Sequence, residues 1–120
     1  MNTTFNLFRT LNDTEVFTAH QAIFLQGEHG DVMYVVQEGV VEIYYNEKLL
    51  DTVREGGIIG EMSLINDGVR SATAVAHTMV KLVAIDQERF EYLVQQTPNF
   101  AINVMRILSE RLMKAQAMTA

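Results

Sequence analysis

Every glycine of this 120-residue chain, seven in all, falls between positions 27 and 68, and the single proline, Pro98, lies outside that window. Glycine supplies the left-handed conformations that tight turns need, so the middle of the chain must reverse direction often. The segments between the turns are short and rich in β-branched and aromatic residues: Val32-Met33-Tyr34-Val35-Val36, Val40-Val41-Glu42-Ile43-Tyr44-Tyr45 and Lys48-Leu49-Leu50-Asp51-Thr52-Val53. Such runs read as strands, with Gln37-Glu38-Gly39 and Asn46-Glu47 turning between them. Val16-Phe17-Thr18, Ala22-Ile23-Phe24-Leu25, Ala72-Thr73-Ala74-Val75-Ala76 and Val80-Lys81-Leu82-Val83-Ala84-Ile85 add further candidates. Seven or so short strands at close spacing predict an antiparallel sandwich or barrel.

The period changes at both ends. Phe5, Phe8 and Leu11 lie at helical spacing with Leu7 beside them, which predicts a short N-terminal helix ended by Asn12-Asp13. Beyond Ile85, Asp86 is a good N-cap, and Phe90, Leu93 and Val94 repeat at three and four. Thr97-Pro98 opens a second helix, with Thr as cap and Pro at the first helical position. There Phe100, Val104, Ile107, Leu108 and Leu112 form one apolar stripe, and Ile102, Met105, Met113 and Ala117 form a partial second. A helix apolar on more than one side packs against more than its own barrel, as a ligand lid or a dimer seam, unless it docks deeply on the sheet. The expected architecture is one mainly β (α+β) domain over residues 1–120. Its body is an antiparallel β-roll of jelly-roll-like barrel form over about 15–85, flanked by the N-terminal helix and by C-terminal helices over about 86–118.

Composition narrows the chemistry. This length supports a single core without staples. The chain has no cysteine, so disulfides and thiolate metal sites are excluded, in keeping with a reducing cytoplasm. No apolar run approaches the ~18 residues of a membrane span, and Met1-Asn2-Thr3-Thr4-Phe5 is not a signal-peptide start. A net charge of −6 argues against nonspecific nucleic-acid binding, which needs clustered Lys and Arg. A cupin-like metal enzyme would need a His-x-His pair with a carboxylate and a third His. His20, His29 and His77 are the only histidines, no two closer than nine residues, so no metal site is assigned. Glu61 has no acidic neighbour until Asp67, and the acid and base beside Ser63 and Ser71, Glu61 and Arg70, read as binding groups and not as the helpers of a nucleophile. No catalytic residue and no cofactor are assigned, and the protein is expected not to be an enzyme.

What remains is the stretch from Gly56 to Ala74. Gly56, Gly57 and Gly60 allow tight turning and close approach of a ligand. Glu61-Met62-Ser63-Leu64-Ile65 is long enough for little more than one helical turn, whose opening N–H groups point outward and suit an anion. Arg70, nine residues after Glu61, adds a planar fork of donors that matches a phosphate. Glu61 can accept from a sugar hydroxyl. An anion grip beside a hydroxyl acceptor suggests a small sugar phosphate. Each of these residues also has a plainer role: Glu61 and Arg70 as a surface ion pair, the glycines as turn formers, Ser71 as a strand start.

Gly60-Glu61-Met62-Ser63-Leu64 followed by Arg70-Ser71-Ala72-Thr73 resembles the phosphate-binding cassette of cyclic nucleotide-binding domains. Gly27-Glu28-His29-Gly30-Asp31 and the segment through Gly39-Val40-Val41-Glu42 are similar to that family's Gly-Glu-x-Gly-Asp turn and the hairpin after it. The resemblance spans roughly residues 15 to 115. It implies a non-catalytic sensor of a 3′,5′-cyclic nucleotide. Glu61 would take the ribose 2′-hydroxyl. Arg70 and the backbone of Gly60, Met62 and Ser63 would hold the phosphate, joined by a hydroxyl or N–H of Ser71 and Ala72. Cyclic AMP is expected ahead of cyclic GMP. Ser71 does not decide this, because serine at that place also occurs in the bacterial cyclic AMP-binding branch. The family's base-contacting polar positions fall near Ala115 and Gln116, and only Gln116 has a hydrogen-bonding side chain. Ligand would order the cassette and move the helix after Pro98 over the base. The related transcription factors carry a helix-turn-helix module after this point, so the expected effector is another chain or a larger parent protein. The alternative is a ligandless interaction domain of the same fold that dimerises through the last helix.

Overall fold

The run Val32-Met33-Tyr34-Val35-Val36 shows no polar alternation because protein covers both of its faces. The computed structural model describes residues 14–119. Within them lie eight strands: β1 (Thr14–Phe17), β2 (Ala22–Phe24), β3 (Val32–Glu38), β4 (Val41–Tyr45), β5 (Lys48–Val53), β6 (Ile58–Ile59), β7 (Thr73–Ala76) and β8 (Val80–Asp86). They form two antiparallel four-stranded sheets, ordered β1-β8-β3-β6 and β2-β7-β4-β5. In the first sheet β3 lies against β8 with Met33 opposite Ile85 and Val35 opposite Val83. Successive side chains point to opposite faces. Tyr34, Val36 and Leu82 therefore enter one core, shared with Val41, Ile43, Ala74 and Ala76 of the second sheet. Met33, Val35, Val83 and Ile85 enter another, closed by Leu93, Phe100 and Val104 of the C-terminal helices. A strand covered on both faces shows no apolar-polar alternation.

The expected antiparallel β-roll is present, with its two sheets stacked as a sandwich and not closed into a barrel. β6 was not among the expected strands. Two residues are too short to show a period, and only their pairing with Tyr34 and Val35 makes Ile58–Ile59 a strand. The N-terminal helix expected over Phe5–Leu11 lies outside the described residues.

Three helices are described: α1 (Glu61–Ile65), α2 (Gln87–Gln96) and α3 (Pro98–Thr119). Asp86 caps α2, its side chain accepting from the Arg89 N–H at 2.9 Å. Pro98 opens α3 at a position where a missing N–H costs nothing. The apolar stripe of α3 is divided in its fate. Phe100 and Val104 are buried and Ile107 and Leu108 pack beside them, but Leu112 is 59% exposed. The helix thus docks deeply over its first half, and its second half passes over a cavity. Ile102, Met105 and Met113 of the partial second stripe point to solvent.

Candidate functional site

Two turns far apart in sequence are held together by their backbones. The Gly27 N–H donates to the Arg70 carbonyl, the Arg70 N–H to the Glu28 carbonyl and the Gly30 N–H to the Gly68 carbonyl, each at 2.8 Å. This pairing brings the Gly27–Asp31 turn against the segment after α1. Gly60 joins β6 to α1 at φ +79°, a conformation that disfavours any residue with a Cβ.

Arg70 occupies the space between these turns and is 5% exposed. Its Nη1 donates to the Val32 carbonyl at 2.7 Å, the Ser63 Oγ at 2.9 Å and the Gly60 carbonyl at 3.2 Å. The guanidinium carbon lies 4.1 Å from the centroid of the Phe24 ring, within cation–π range. Burial pushes the guanidinium below its ordinary pKa, opposed by Tyr34 and by the charges of Asp31, Glu28 and Glu61. Gly30 leaves the room that the side chain needs: a Cβ there would lie 2.1 Å from Arg70 Nε. Gly30→Ala is expected to displace the fork and lower stability by about 1–3 kcal/mol, the usual cost of overpacking. Thermal denaturation of the ligand-free protein measures this, and an unchanged Tm would refute a fixed Arg70.

Glu61 begins α1 and is 2% exposed. One carboxylate oxygen, Oε1, accepts from Nη1 of Arg111 on α3. The other, Oε2, is buried and has no hydrogen-bond partner among the described residues. A buried carboxylate oxygen without a donor costs stability. Arg111 also donates from Nε to Asp51 of β5 at 3.2 Å and from Nη2 to the Ile58 carbonyl. Lys114 donates to the second oxygen of Asp51 at 2.6 Å. Burial alone raises the Asp51 pKa, but the hydrogen bonds and charges of Lys114 and Arg111 outweigh it and hold the carboxyl below its ordinary value. One polar cluster thereby ties α3 to both β5 and the cassette.

Between α1, the second sheet and α3 lies a cavity of about 520 Å³, ample for a nucleotide. Gly60, Glu61, Met62, Ser63, Arg70, Ser71 and Ala72 all line it. Gln116 does not; it is exposed, and Ala115 of α3 faces the cavity in its place. Three participants are not evident from the sequence: Phe24, Asp51 and Arg111. A usable signal existed only for Arg111, a charge set between Leu108 and Leu112 on the apolar stripe of α3. Among the described residues no group of three His, Cys, Asp or Glu is placed to hold a metal ion. No described helix is long and apolar enough to cross a membrane.

Residues 14–97 match the family model described as "Cyclic nucleotide-binding domain". The chain belongs to that family. The cyclic nucleotide-binding domain is 36% identical over 98 residues to the cyclic AMP receptor protein of Thermus thermophilus, covering 78% of this chain and 45% of the relative. The chain thus spans about half the length of that curated relative. Its fold matches the solved structure titled "cAMP bound PfPKA-R (141-441)" at a TM-score of 0.82 and 19% identity, covering 98% of this chain and 45% of the other. It also matches the c-di-GMP-responsive global regulator CLP of Xanthomonas campestris at a TM-score of 0.78 and 23% identity, covering 95% of this chain and 60% of the other. The last two likenesses bear on the fold of this cyclic nucleotide-binding domain, which they share in spite of low identity.

Proposed function

We propose that this domain is a cytoplasmic, non-catalytic sensor that binds a 3′,5′-cyclic nucleotide, cyclic AMP first. The observation that carries the reading is Glu61 Oε2, a buried acceptor without a donor among the described residues, in the same cavity as the Arg70 fork. The ribose 2′-hydroxyl donates to Oε2. The cyclic phosphate sits against Arg70, whose hydrogen bonds among the described residues leave from Nη1 and so spare the Nη2 donors. Backbone N–H groups of Gly60, Met62, Ser63 and Ala72, with the Ser71 hydroxyl, complete the cradle around it. Cyclic AMP is favoured because the Thermus relative is a cyclic AMP receptor.

The signal leaves through α3. Arg111 touches the ribose acceptor directly, so a ligand that takes the other oxygen of Glu61 shifts the population of docked α3. An effector, in another chain or a longer parent, reads that position. One observation favours a second role: Ile102, Met105, Leu112 and Met113 are exposed on α3 and suit a dimer seam.

Isothermal titration with cyclic AMP, cyclic GMP, cyclic di-GMP and linear AMP tests the proposal. Saturable binding of cyclic AMP is expected, with a stabilisation of about 2.7 kcal/mol at a hundredfold excess over Kd. No heat and no shift in Tm with any cyclic nucleotide at millimolar concentration would leave the ligandless interaction domain as the surviving reading.

A further inference from the structure

The geometry points to Asp51 of β5 as a positioning residue that keeps the ribose acceptor of Glu61 open. It acts through Arg111, and the inference rests on the cyclic-nucleotide reading. An arginine fork and a carboxylate commonly meet through two parallel hydrogen bonds. Arg111 and Glu61 do not. Nη1 of Arg111 donates to Oε1, and Oε2 stays buried without a donor among the described residues. Arginine carries five N–H donors. Asp51, Glu61 and the Ile58 carbonyl engage one each here, on Nε, Nη1 and Nη2. These bonds leave one donor on each terminal nitrogen. The fork is therefore not short of donors for Oε2; its orientation keeps them away.

That orientation is set by the other two acceptors. Asp51 Oδ2 holds Nε at 3.2 Å, and the Ile58 carbonyl holds Nη2. Two acceptors on different strands fix the plane and tilt of a rigid guanidinium, so Glu61 meets only one corner of it. Without the Asp51 anion, Glu61 is the one charged partner left to Arg111 among the described residues. The Arg111 side chain is 12% exposed and that of Glu61 2%, so little water competes for Oε2. The fork then turns onto the carboxylate and takes both oxygens. The 2′-hydroxyl of the ligand loses its acceptor. Lys114 donates to the other oxygen of Asp51 and has no part in the bond to Nε. Arg70 directs its Nη1 bonds to Val32, Gly60 and Ser63 and supplies nothing to Oε2.

The readout is a ratio, the Kd of 2′-deoxy cyclic AMP over the Kd of cyclic AMP, from titration calorimetry of the 120-residue protein. A changed charge near the phosphate, or a general loosening of α3, moves both Kd values together and leaves the ratio unchanged. Asp51→Asn is expected to lower the ratio by at least about threefold, the size of one ordinary hydrogen bond, by weakening cyclic AMP. Lys114→Gln, which removes a half-exposed partner of Asp51, is expected to leave it within about twofold of wild type. Asp51→Thr, whose side chain suits a strand, gives the same measurement where Asp51→Asn does not fold. An unchanged or raised ratio in a folded Asp51 variant, or an equal fall in Lys114→Gln, overturns the inference while leaving nucleotide binding in place. A wild-type ratio near one does the same, as does failure of both Asp51 variants to fold, which makes Asp51 a residue of stability. Failure of the wild-type protein to bind cyclic AMP overturns the inference together with the reading beneath it.

Discussion

Arg70→Ala is expected to abolish measurable cyclic nucleotide binding in a domain that remains folded. The phosphate would lose the guanidinium that lies in the same short stretch as Gly60 and Ser63, where no other Lys or Arg stands between Arg54 and Lys81. Removing one partner of a buried, hydrogen-bonded charge pair costs roughly 3–5 kcal/mol, or on the order of a hundred- to several-thousand-fold in Kd. The same substitution also acts without ligand. It takes the Arg70 donor from the Val32 carbonyl and the Ser63 hydroxyl, leaves the Gly60 carbonyl with only its Ser63 donors, and uncovers the Phe24 ring. The expected stability loss is about 2–3 kcal/mol, which a domain with ordinary reserves of ~5–15 kcal/mol survives. Arg70→Lys separates the two effects. A lysine keeps the charge but cannot span three acceptors and a phosphate at once, so its affinity is expected between wild type and Arg70→Ala. Titration calorimetry alongside urea melts measures both quantities. A folded Arg70→Ala protein with wild-type affinity would remove Arg70 from the site.

Glu61→Gln is expected to weaken cyclic AMP by about 10- to 150-fold, the range for a lost hydrogen bond to a charged group of ~1.5–3 kcal/mol. The 2′-deoxy analogue is expected to lose much less, because it brings no hydroxyl to the carboxylate. The comparison is needed because Glu61 does two jobs. Its Oε1 also anchors Arg111, so the substitution perturbs α3 whichever ligand is present. It removes a negative charge near the phosphate as well, and this too acts equally on both ligands. Only the difference between the two losses isolates the 2′-hydroxyl, in the manner of a double-mutant cycle. Equal losses would reassign Glu61 to a structural role as the partner of Arg111.

Much of the fold was legible because its signals are local. The strands β3, β4, β5, β7 and β8 lie within a residue or two of the β-branched runs that predict them. Asp86 and Pro98 mark the helix starts through chemistry within one turn of backbone. That Gly60, Glu61, Ser63 and Arg70 line one cavity was legible for the same reason, since they lie within one short stretch. The Asp51–Arg111 contact was not. Its partners stand 60 residues apart, and nothing beside either one announces the other. β6 was hidden by its length, and the separation of the sheets by the fact that strand order is a matter of pairing across space.

By itself, then, the sequence determined the short strands and their turns, the two C-terminal helices and the closeness of Glu61 and Arg70 in one cavity wall, since each depends on neighbours a few residues away. Tertiary structure alone decided what those groups face. It set Arg70 on three inward acceptors and left one oxygen of Glu61 without a donor among the described residues. It also chose Ala115 over Gln116 for the cavity wall. That choice comes from the rotation of α3, fixed where Phe100 and Val104 bury against the first sheet. Each residue along a helix turns its side chain by about 100° from the last. Packing at the start of α3 therefore sets which of two adjacent residues, several turns later, lines the cavity.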